Sequence, residues 1–176
     1  AKNGLKGNII KFSSISVGAT ENAILAAVCA KGKTVISNCA IEPEIQDMIL
    51  FLKKIGCNIN FIGKRKILIF GTSKFKNTVH KVIFDRIELG TYLIAGALVG
   101  KKIILSKIKP TIIDTEIKIL KKMGVRMKIE KNKIIVFESK KITNVKIKTA
   151  AYPGFPTDLQ AQIMVLMSKA KGTSRV

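Results

Sequence analysis

An aspartate stands at the start of a predicted helix in the stretch FPTDLQAQ (155–162). Asp158 stands two residues after Pro156 and precedes an apolar run, which is the pattern of a helix start. A carboxylate at this position either stabilises the helix through its dipole, with Thr157 as the cap, or accepts a proton from a bound group. The local sequence by itself favours the cap, so a catalytic role needs support from other residues.

The stretch SISVGAT (14–20) is suited to an anion. A helix start offers N–H groups without helical partners and the positive end of the helix dipole. Gly18 lets a ligand approach the backbone closely, and Ser16 and Thr20 can donate hydrogen bonds or cap the helix. These residues predict a phosphate site, and the alternative is a turn and a helix cap without a ligand.

Arg86, in DRIELGT (85–91), is the third candidate. Its guanidinium is a fixed positive fork that fits phosphate oxygens. Because acidic residues stand beside it, the alternative is an ion pair on the surface with Asp85 or Glu88.

The net charge of +21 over 176 residues raises nucleic acid as a partner. The lysines, however, are spread along the chain, only four basic residues are arginines, and aromatic residues make up 6%. Phosphate forks and stacking platforms for bases are therefore scarce. We expect no specific nucleic-acid binding, and a non-catalytic module that binds polyanions remains an alternative.

The sequence does not indicate a metal site, a disulfide framework or a membrane span. Cys29, Cys39 and Cys57 lack metal-binding spacing and fit a reduced, cytoplasmic protein in which each is a small core residue. His80 stands alone, so we expect no metal, and no other cofactor is indicated. We predict no signal peptide, and the longest apolar run, 91–100, is too short to cross a bilayer.

The chain contains an internal repeat. Residues 52–71 resemble residues 120–139, and the same offset of 68 relates 32–37 to 100–105. One unit reads as a short strand, an apolar and therefore buried helix, a strand, a second helix with one apolar stripe, and a hairpin. This β-α-β-α-β-β order predicts a small sheet covered on one face by two helices.

The repeat continues beyond two copies. The second copy runs from about 80 to 138, and a third begins at 144–150 and continues through one helix. About half of the third copy is absent, so we expect the sequence to be a fragment of a longer protein. Polar and turn residues predict linkers at 71–78 and 139–144.

The repeat also links the three candidate residues. The offsets place Gly18, Arg86 and Asp158 at equivalent points, each where the first strand of a copy gives way to its first helix. If the copies pack so that these points converge, they form a pocket for a phosphorylated ligand with one acid–base group.

At these residues the sequence resembles the enolpyruvyl transferase family. The matching segments run in order along nearly the whole chain: GLKG (4–7), SVGAT (16–20), EPEI with the following Asp47 (42–47), DRIE with the following Gly90 and Thr91 (85–91), FPTDLQAQ (155–162) and KGTS (171–174). The resemblance implies a mixed α/β (α+β) fold, an inside-out α/β barrel of two lobes with three β-α-β-α-β-β units each. About two and a half of the six units would be present. Residues 1–83 would be the last unit of the first lobe, and residues 84–176 the first unit and half of the second unit of the second lobe.

The resemblance is closest to the nucleotide-sugar branch. It implies transfer of the enolpyruvyl group of phosphoenolpyruvate to the 3′-hydroxyl of UDP-N-acetylglucosamine, the first committed step of peptidoglycan synthesis. Asp158 would take the proton from the sugar hydroxyl. The segment 14–18 would hold the nucleotide diphosphate, and further residues would line the cleft. The implied substrate-binding residues are Ser14, Ile15, Ser16, Val17, Gly18, Glu42, Glu44, Arg86 and Thr157. The family often has a basic residue where Ser14 stands, which would remove one phosphate contact.

By the same resemblance, the reactive loop cysteine and the basic residues that grip phosphoenolpyruvate lie outside this sequence. Because both lobes must close around the substrates, we predict that these 176 residues alone show no transferase activity. The alternatives are a shikimate-pathway enolpyruvyl transferase, the polyanion-binding module, and a gene product that no longer folds.

Overall fold

The computed structural model describes residues 2–176, and the chain divides into two compact units, Ala1–Ile83 and Phe84–Val176. Each unit has an apolar core of its own. The assignment of the two units to two lobes of a larger protein stays a prediction.

The first unit has the predicted order β-α-β-α-β-β. Its elements are β1 (Ile9–Lys11), α1 (Val17–Val28), β2 (Lys33–Ser37), α2 (Pro43–Lys54), β3 (Asn58–Gly63) and β4 (Lys66–Phe70). The strands form one sheet in the order β1-β2-β4-β3, in which β1 and β2 are parallel and the other neighbours are antiparallel. The repeat unit is therefore confirmed for this copy.

The core of the first unit lies between the sheet and one face of each helix. Burial alternates along β2 and β4, so that Ile36 and Ile69 point inward, while α2 contributes an apolar stripe that includes Ile45 and Leu52. Gly56 follows α2 at a φ of +101°, a left-handed conformation that glycine adopts without strain. The apolar stripe predicted for the second helix is thus part of the core, and the alternation along the strands supplies the residues that face it.

The second unit contains the second copy and the beginning of the third. Its helices are α3 (Arg86–Val99), a 3₁₀ helix (Pro110–Ile113), α4 (Asp114–Lys122), a second 3₁₀ helix (Thr157–Leu159) and α5 (Gln160–Met167). Its strands are β5 (Lys102–Ser106), β6 (Met127–Glu130), β7 (Lys133–Phe137), β8 (Ile142–Thr143) and β9 (Ala170–Lys171). β5, β7 and β6 form an antiparallel sheet in that order, and β8 pairs with β9 in parallel.

The start of the third copy repeats the strand pairing of the first. β8 and β9 are parallel and continue to a parallel bridge between Lys146 and Arg175, as β1 and β2 are parallel beside a bridge of their own. The strand predicted over 144–150 is reduced to isolated bridges. Residues 80–84, although described by the structure, form no strand, so the second copy lacks the first strand of the unit.

A constant offset of 68 residues describes the repeat only in part. The fully buried positions of the second helices keep it, since Ile45 is equivalent to Ile113. The buried positions of the first helices match at an offset of 69 residues, with Ile24 equivalent to Leu93. β3 carries a bulge at 61–63 that β6 lacks, so the offset falls by one in the strands that follow.

The predicted equivalence of Gly18, Arg86 and Asp158 is therefore wrong in register. The buried face of the third copy's helix follows that of α3 by 70 residues. When the buried faces of the helices are aligned, Arg86 is equivalent to Val17, and Asp158 is equivalent to Glu88. Each candidate nevertheless lies in the first turn of the first helix of its copy.

The first helices are not buried all round, contrary to the prediction from their composition. Leu25 of α1 is 52% exposed, and in α3 Tyr92 is 51% and Val99 81% exposed. Within a unit, a sheet and a neighbouring helix cover only one side of each of these helices. Cys29, predicted as a core residue, is exposed directly after α1 for the same reason.

The predicted linker at 139–144 is also wrong. Ser139 is buried, its backbone N–H donates to Ala97 O at 3.0 Å, and its hydroxyl accepts from Arg126 N at 3.0 Å. The polar residue here satisfies backbone groups of packed elements and does not mark a loose connection. The segment 71–78 contains no helix or strand.

Candidate functional site

The start of α1 is a capped helix end that is tied to the segment after β2. Ser16 is the cap, and its hydroxyl oxygen accepts a hydrogen bond from Ala19 N at 3.2 Å. Thr20 is fully buried; its hydroxyl donates to Ser16 O at 2.7 Å and accepts from Ala40 N at 2.9 Å. The capping role of Ser16 is confirmed, and Thr20 fixes α1 against the segment 38–42.

The segments that follow β1 and β2 lie at one edge of the sheet. The two strands are parallel, so their carboxyl ends point the same way. Asn38, at a φ of +58°, donates through its side-chain amide to Phe12 O at 3.0 Å and joins the segments 12–16 and 38–42. Ligands of open α/β sheets bind outside the carboxyl ends of the strands, so this edge is the candidate site of the first unit.

Two predicted acidic residues, Glu42 and Glu44, border the same edge. Glu42 is 3% exposed directly before α2 and accepts a hydrogen bond from Ile41 N at 2.8 Å. Glu44 is half-buried in the first turn of α2, where the helix dipole favours its charge. The edge thus carries helix N-termini, which attract an anion, beside carboxylates, which accept hydrogen bonds from hydroxyl groups.

The exposed part of this edge is the first turn of α1 with the residues before it. Ser14, Ser16 and Gly18 are exposed, whereas Ile15 and Val17 pack against the core. A Cβ added to Gly18 would meet no atom of residues 2–176 within 4 Å. The backbone of α1 is therefore open at the place where the sequence predicts an anion.

Asp85 caps α3, and the side chain of Arg86 is directed to other partners. The Asp85 carboxylate accepts from two backbone N–H groups of the first turn at 2.7 and 3.2 Å. The Arg86 side chain is only 7% exposed, and its Nη1 lies 3.9 Å from Glu116 Oε1. Its guanidinium carbon lies 5.7 Å from the centre of the Tyr152 ring. Because the Arg86 side chain is buried, the alternative of an ion pair on the surface is wrong.

Glu116, which sequence reasoning missed, is a buried carboxylate on α4 with 3% exposure. Burial raises the pKa of Glu116, and the Arg86 guanidinium opposes that rise. The repeat contained a signal for it, because at the offset of 68 Glu116 replaces Met48 on the apolar stripe of the second helix. An acid on an apolar stripe indicates a buried charge with a partner.

Asp158 lies exposed in the second 3₁₀ helix and does not cap it. Pro156 precedes this helix, Thr157 is its first residue, and no side chain supplies a cap. The prediction that Thr157 caps the helix is therefore wrong. Among residues 2–176 no hydrogen bond or ion pair engages the carboxylate of Asp158, which leaves it available to a ligand.

Three contacts align the third copy's helix with α3. The residue numbers rise in the same direction in both segments, because Arg86 contacts Tyr152, Gly90 contacts Leu159, and Thr91 contacts Gln162. A Cβ added to Gly90 would lie 2.4 Å from Leu159 Cδ1, and the side-chain amide of Gln162 donates to the Thr91 hydroxyl at 3.1 Å. The two helices therefore start at the same end of the second unit.

This end of the second unit carries both Arg86 and Asp158. Thr115, at the start of α4, donates its hydroxyl to Pro153 O at 2.6 Å and holds the loop that leads into the second 3₁₀ helix. The starts of α3, α4 and the second 3₁₀ helix thus lie together at this end of the second unit, which is its candidate site. Gly18 belongs to the other unit, and its convergence with this end stays a prediction.

The two buried cysteines and His80 have structural roles. Cys39 and Cys57 are buried, as predicted, and burial raises the pKa of both thiols, so neither is a nucleophile at neutral pH. His80 is paired, with its Nε2 3.1 Å from Asp47 Oδ2. In the part of the chain that the structure describes, no group of three His, Cys, Asp or Glu residues could hold a metal ion. The helices of that same part are all too short or too polar to cross a membrane.

Known sequences match the chain over its whole length. The family model described as EPSP synthase (3-phosphoshikimate 1-carboxyvinyltransferase) matches residues 1–176. A curated relative from Pelagibacter ubique (strain HTCC1062) is 54% identical over 176 residues, and one from Endomicrobium trichonymphae is 48% identical over 174 residues. Both are named UDP-N-acetylglucosamine 1-carboxyvinyltransferase; they cover 100% and 99% of this chain, which spans 42% of the length of each relative.

Solved structures share the fold. The enolpyruvyl transferase NikO from Streptomyces tendae matches with a TM-score of 0.75 at 25% identity, over 89% of this chain and 38% of that one. EPSP synthase from Acinetobacter baumannii matches with a TM-score of 0.57 at 21% identity, over 82% of this chain and 34% of that one, a likeness of fold alone. The predicted fold class, repeated units of an inside-out α/β barrel, is confirmed.

Proposed function

Because this chain belongs to the EPSP synthase family of enolpyruvyl transferases, we propose an activity for the full-length protein. It transfers the enolpyruvyl group of phosphoenolpyruvate to the 3′-hydroxyl of UDP-N-acetylglucosamine and releases phosphate. The observation that carries this proposal is the 54% identity, over the whole chain, with a relative named UDP-N-acetylglucosamine 1-carboxyvinyltransferase. The chain spans 42% of that relative, so the proposal concerns the full-length protein.

The nucleotide diphosphate would bind at the first turn of α1. Support comes from Gly18, which is exposed and where an added Cβ would meet no described atom within 4 Å, so that a ligand can approach the backbone of this turn. Ile15 and Val17 would hold the segment in place by packing against the core. Ser14 brings no charge, so the attraction for phosphate would come from the helix start.

The proton of the sugar hydroxyl would pass to Asp158. Support comes from its exposure and from its lack of a hydrogen bond among residues 2–176. A general base must lie within hydrogen-bond reach of the proton that it removes. The negative charge of bound phosphates makes proton acceptance by a neighbouring carboxylate more favourable. Thr157, exposed beside it, would bind the sugar.

The other candidate residues would balance charge and orient the substrates. Arg86 would offset the negative charge of phosphate groups, while Glu42 and Glu44 would accept hydrogen bonds from substrate hydroxyls. Their positions support these roles: Glu42 and Glu44 lie at the start of α2, and Arg86 begins α3.

The test is phosphate release by the full-length protein with phosphoenolpyruvate and one of two acceptors. We expect turnover with UDP-N-acetylglucosamine and none with shikimate 3-phosphate. Turnover with shikimate 3-phosphate alone would assign the shikimate branch, and silence with both acceptors would refute the proposal. The 176-residue chain in the same assay should be inactive, because the site needs two closing lobes.

The reaction would place the protein at the first committed step of peptidoglycan synthesis, in the cytoplasm. A second candidate function, binding of polyanions, is favoured only by the net charge of +21. A titration with DNA at rising salt separates it from the first: binding without base preference that disappears with salt reflects charge alone. Binding with base preference at physiological salt would support the second function.

A further inference from the structure

An ion pair is buried at the start of α3. Arg86 Nη1 lies 3.9 Å from Glu116 Oε1, and the two side chains are 7% and 4% exposed. Glu116 Oε1 makes no hydrogen bond within the described residues. Charge attraction, and not a direct hydrogen bond, therefore joins these two atoms at the end of the unit that carries Asp158.

Glu116 occupies a position that an apolar side chain can fill. Met48 takes the equivalent place in the first unit, where it packs against the core. Burial of an ionised carboxylate is unfavourable unless a cation lies close to it. The pairing with Arg86 is thus the feature of this structure that accounts for an acid on the apolar stripe of α4.

The first turn of α4 also holds the loop that precedes the second 3₁₀ helix. Thr115 donates to Pro153 O at 2.6 Å, and the ring of Tyr152 lies 5.7 Å from the guanidinium carbon of Arg86. Adjacent residues of α4 therefore contact both sides of the candidate site: Glu116 faces the arginine, and Thr115 faces the loop.

We propose that Glu116 is a positioning residue that fixes the guanidinium of Arg86 at the candidate site, so that Arg86 meets an anionic substrate group in one orientation. This inference rests on the proposed function. A long arginine side chain loses conformational freedom when it binds a ligand, and a buried carboxylate that restricts it beforehand reduces that loss. In this role Glu116 acts through Arg86 and makes no contact of its own with the substrate.

The test compares Glu116→Gln with Glu138→Gln in the full-length protein. Glutamine keeps the shape of the side chain and removes its charge, and Glu138 is an exposed glutamate that undergoes the same change. We expect Glu116→Gln to raise KM for at least one substrate about tenfold or more, and Glu138→Gln to leave KM within about twofold. A merely structural role would lower the thermal midpoint and the active fraction with KM unchanged, and that result would overturn the proposal.

A double-mutant cycle with Arg86→Lys tests whether Glu116 acts through Arg86. In the Arg86→Lys background, Glu116→Gln should have little further effect on kcat/KM. Additive effects of the two substitutions would contradict the proposal.

A third measurement does not depend on turnover. The side-chain Nε–H resonance of Arg86, assigned by its loss in Arg86→Lys, should exchange faster with solvent in Glu116→Gln. An unchanged rate of exchange of this N–H with solvent would refute the positioning role even if the unaltered protein is inactive. Inactivity of the unaltered protein with both acceptors would instead refute the proposed function. If Glu116→Gln does not fold, Glu116→Asp replaces it, because its shorter carboxylate withdraws from Arg86 and should change KM and the resonance in the same direction.

Discussion

Gly90 of α3 lies against Leu159 so closely that a Cβ on residue 90 would stand 2.4 Å from Leu159 Cδ1. Leu159 is fully buried, so its side chain has no open space into which it can turn. Gly90→Ala should therefore lower the free energy of unfolding of the second unit by about 1–3 kcal/mol, a typical cost of overpacking. Chemical denaturation of the full-length protein measures the change.

Gly18→Ala is the matched control for this prediction. It makes the same replacement in a helix, at a position where the new Cβ meets nothing within 4 Å among the described residues. We expect unchanged or slightly increased stability, by up to about 1 kcal/mol, because alanine favours a helix over glycine. Equal stability of Gly90→Ala and the unaltered protein would contradict the close packing of α3 on Leu159.

Gly18→Ala should also weaken binding of UDP-N-acetylglucosamine by the full-length protein. The added methyl group would stand at the open first turn of α1, where a diphosphate approaches the backbone. We expect Kd to rise about tenfold or more, which corresponds to about 1.4 kcal/mol. Calorimetry checks this, with Gly63→Ala as the control because its Cβ would make only an ordinary contact at 3.6 Å. An unaltered Kd for Gly18→Ala would remove the first turn of α1 from the proposed site.

Asp158→Asn should reduce kcat of the full-length protein by about a hundredfold or more, the usual effect of losing a general base. Asparagine keeps the size of the side chain and cannot take the proton, so Kd for UDP-N-acetylglucosamine should change little. Steady-state kinetics and calorimetry together test this. Glu138→Gln, at an exposed acid outside the candidate site, is the control and should leave kcat unchanged. A loss of binding with no separate loss of turnover would make Asp158 a binding residue and not a base.

Glu116 and Glu130 should affect stability with opposite dependence on pH. Burial raises the pKa of Glu116 above its ordinary value of 4.5, so its contribution is present below that value and is lost as pH rises through the raised pKa. Hydrogen bonds from Lys133 and Lys128 lower the pKa of Glu130, so its contribution is present above 4.5 and is lost as pH falls through the lowered pKa.

The two glutamine variants separate these effects. Relative to the unaltered protein, Glu116→Gln should gain stability as pH rises above 4.5, and Glu130→Gln should gain stability as pH falls below it. Denaturation at several pH values between about 3 and 7 measures both trends. Parallel trends in the two variants would show that burial and lysine pairing do not act on these carboxyl groups as described.

Cys29 should react with a thiol reagent much faster than Cys39 and Cys57 in the folded protein. Cys29 is exposed, whereas the other two are buried, with pKa values raised by burial and little reactive thiolate. Brief labelling followed by peptide mass spectrometry locates the modified residue, and the denatured protein, in which all three react, is the control. Rapid labelling of Cys39 in the folded protein would show that the core of the first unit opens readily.

The sequence by itself determined the β-α-β-α-β-β order of the first copy and the residue types suited to phosphate and proton transfer. These properties depend on local periodicity, glycine and proline positions, and helix starts, all of which can be read from neighbouring residues. Ser16 as a cap and the stripe through Ile45 and Leu52 were predicted for this reason.

Only the tertiary structure decided which side chains meet. In the structure Gly18, Arg86 and Asp158 are not equivalent positions of the repeat. A bulge and changes in segment length alter the register between copies and leave the pattern within one copy intact. The tertiary structure paired Arg86 with Glu116, 30 residues away, and left an apolar face of each first helix exposed. Contacts of this kind depend on how separate elements pack, and local sequence does not contain that information.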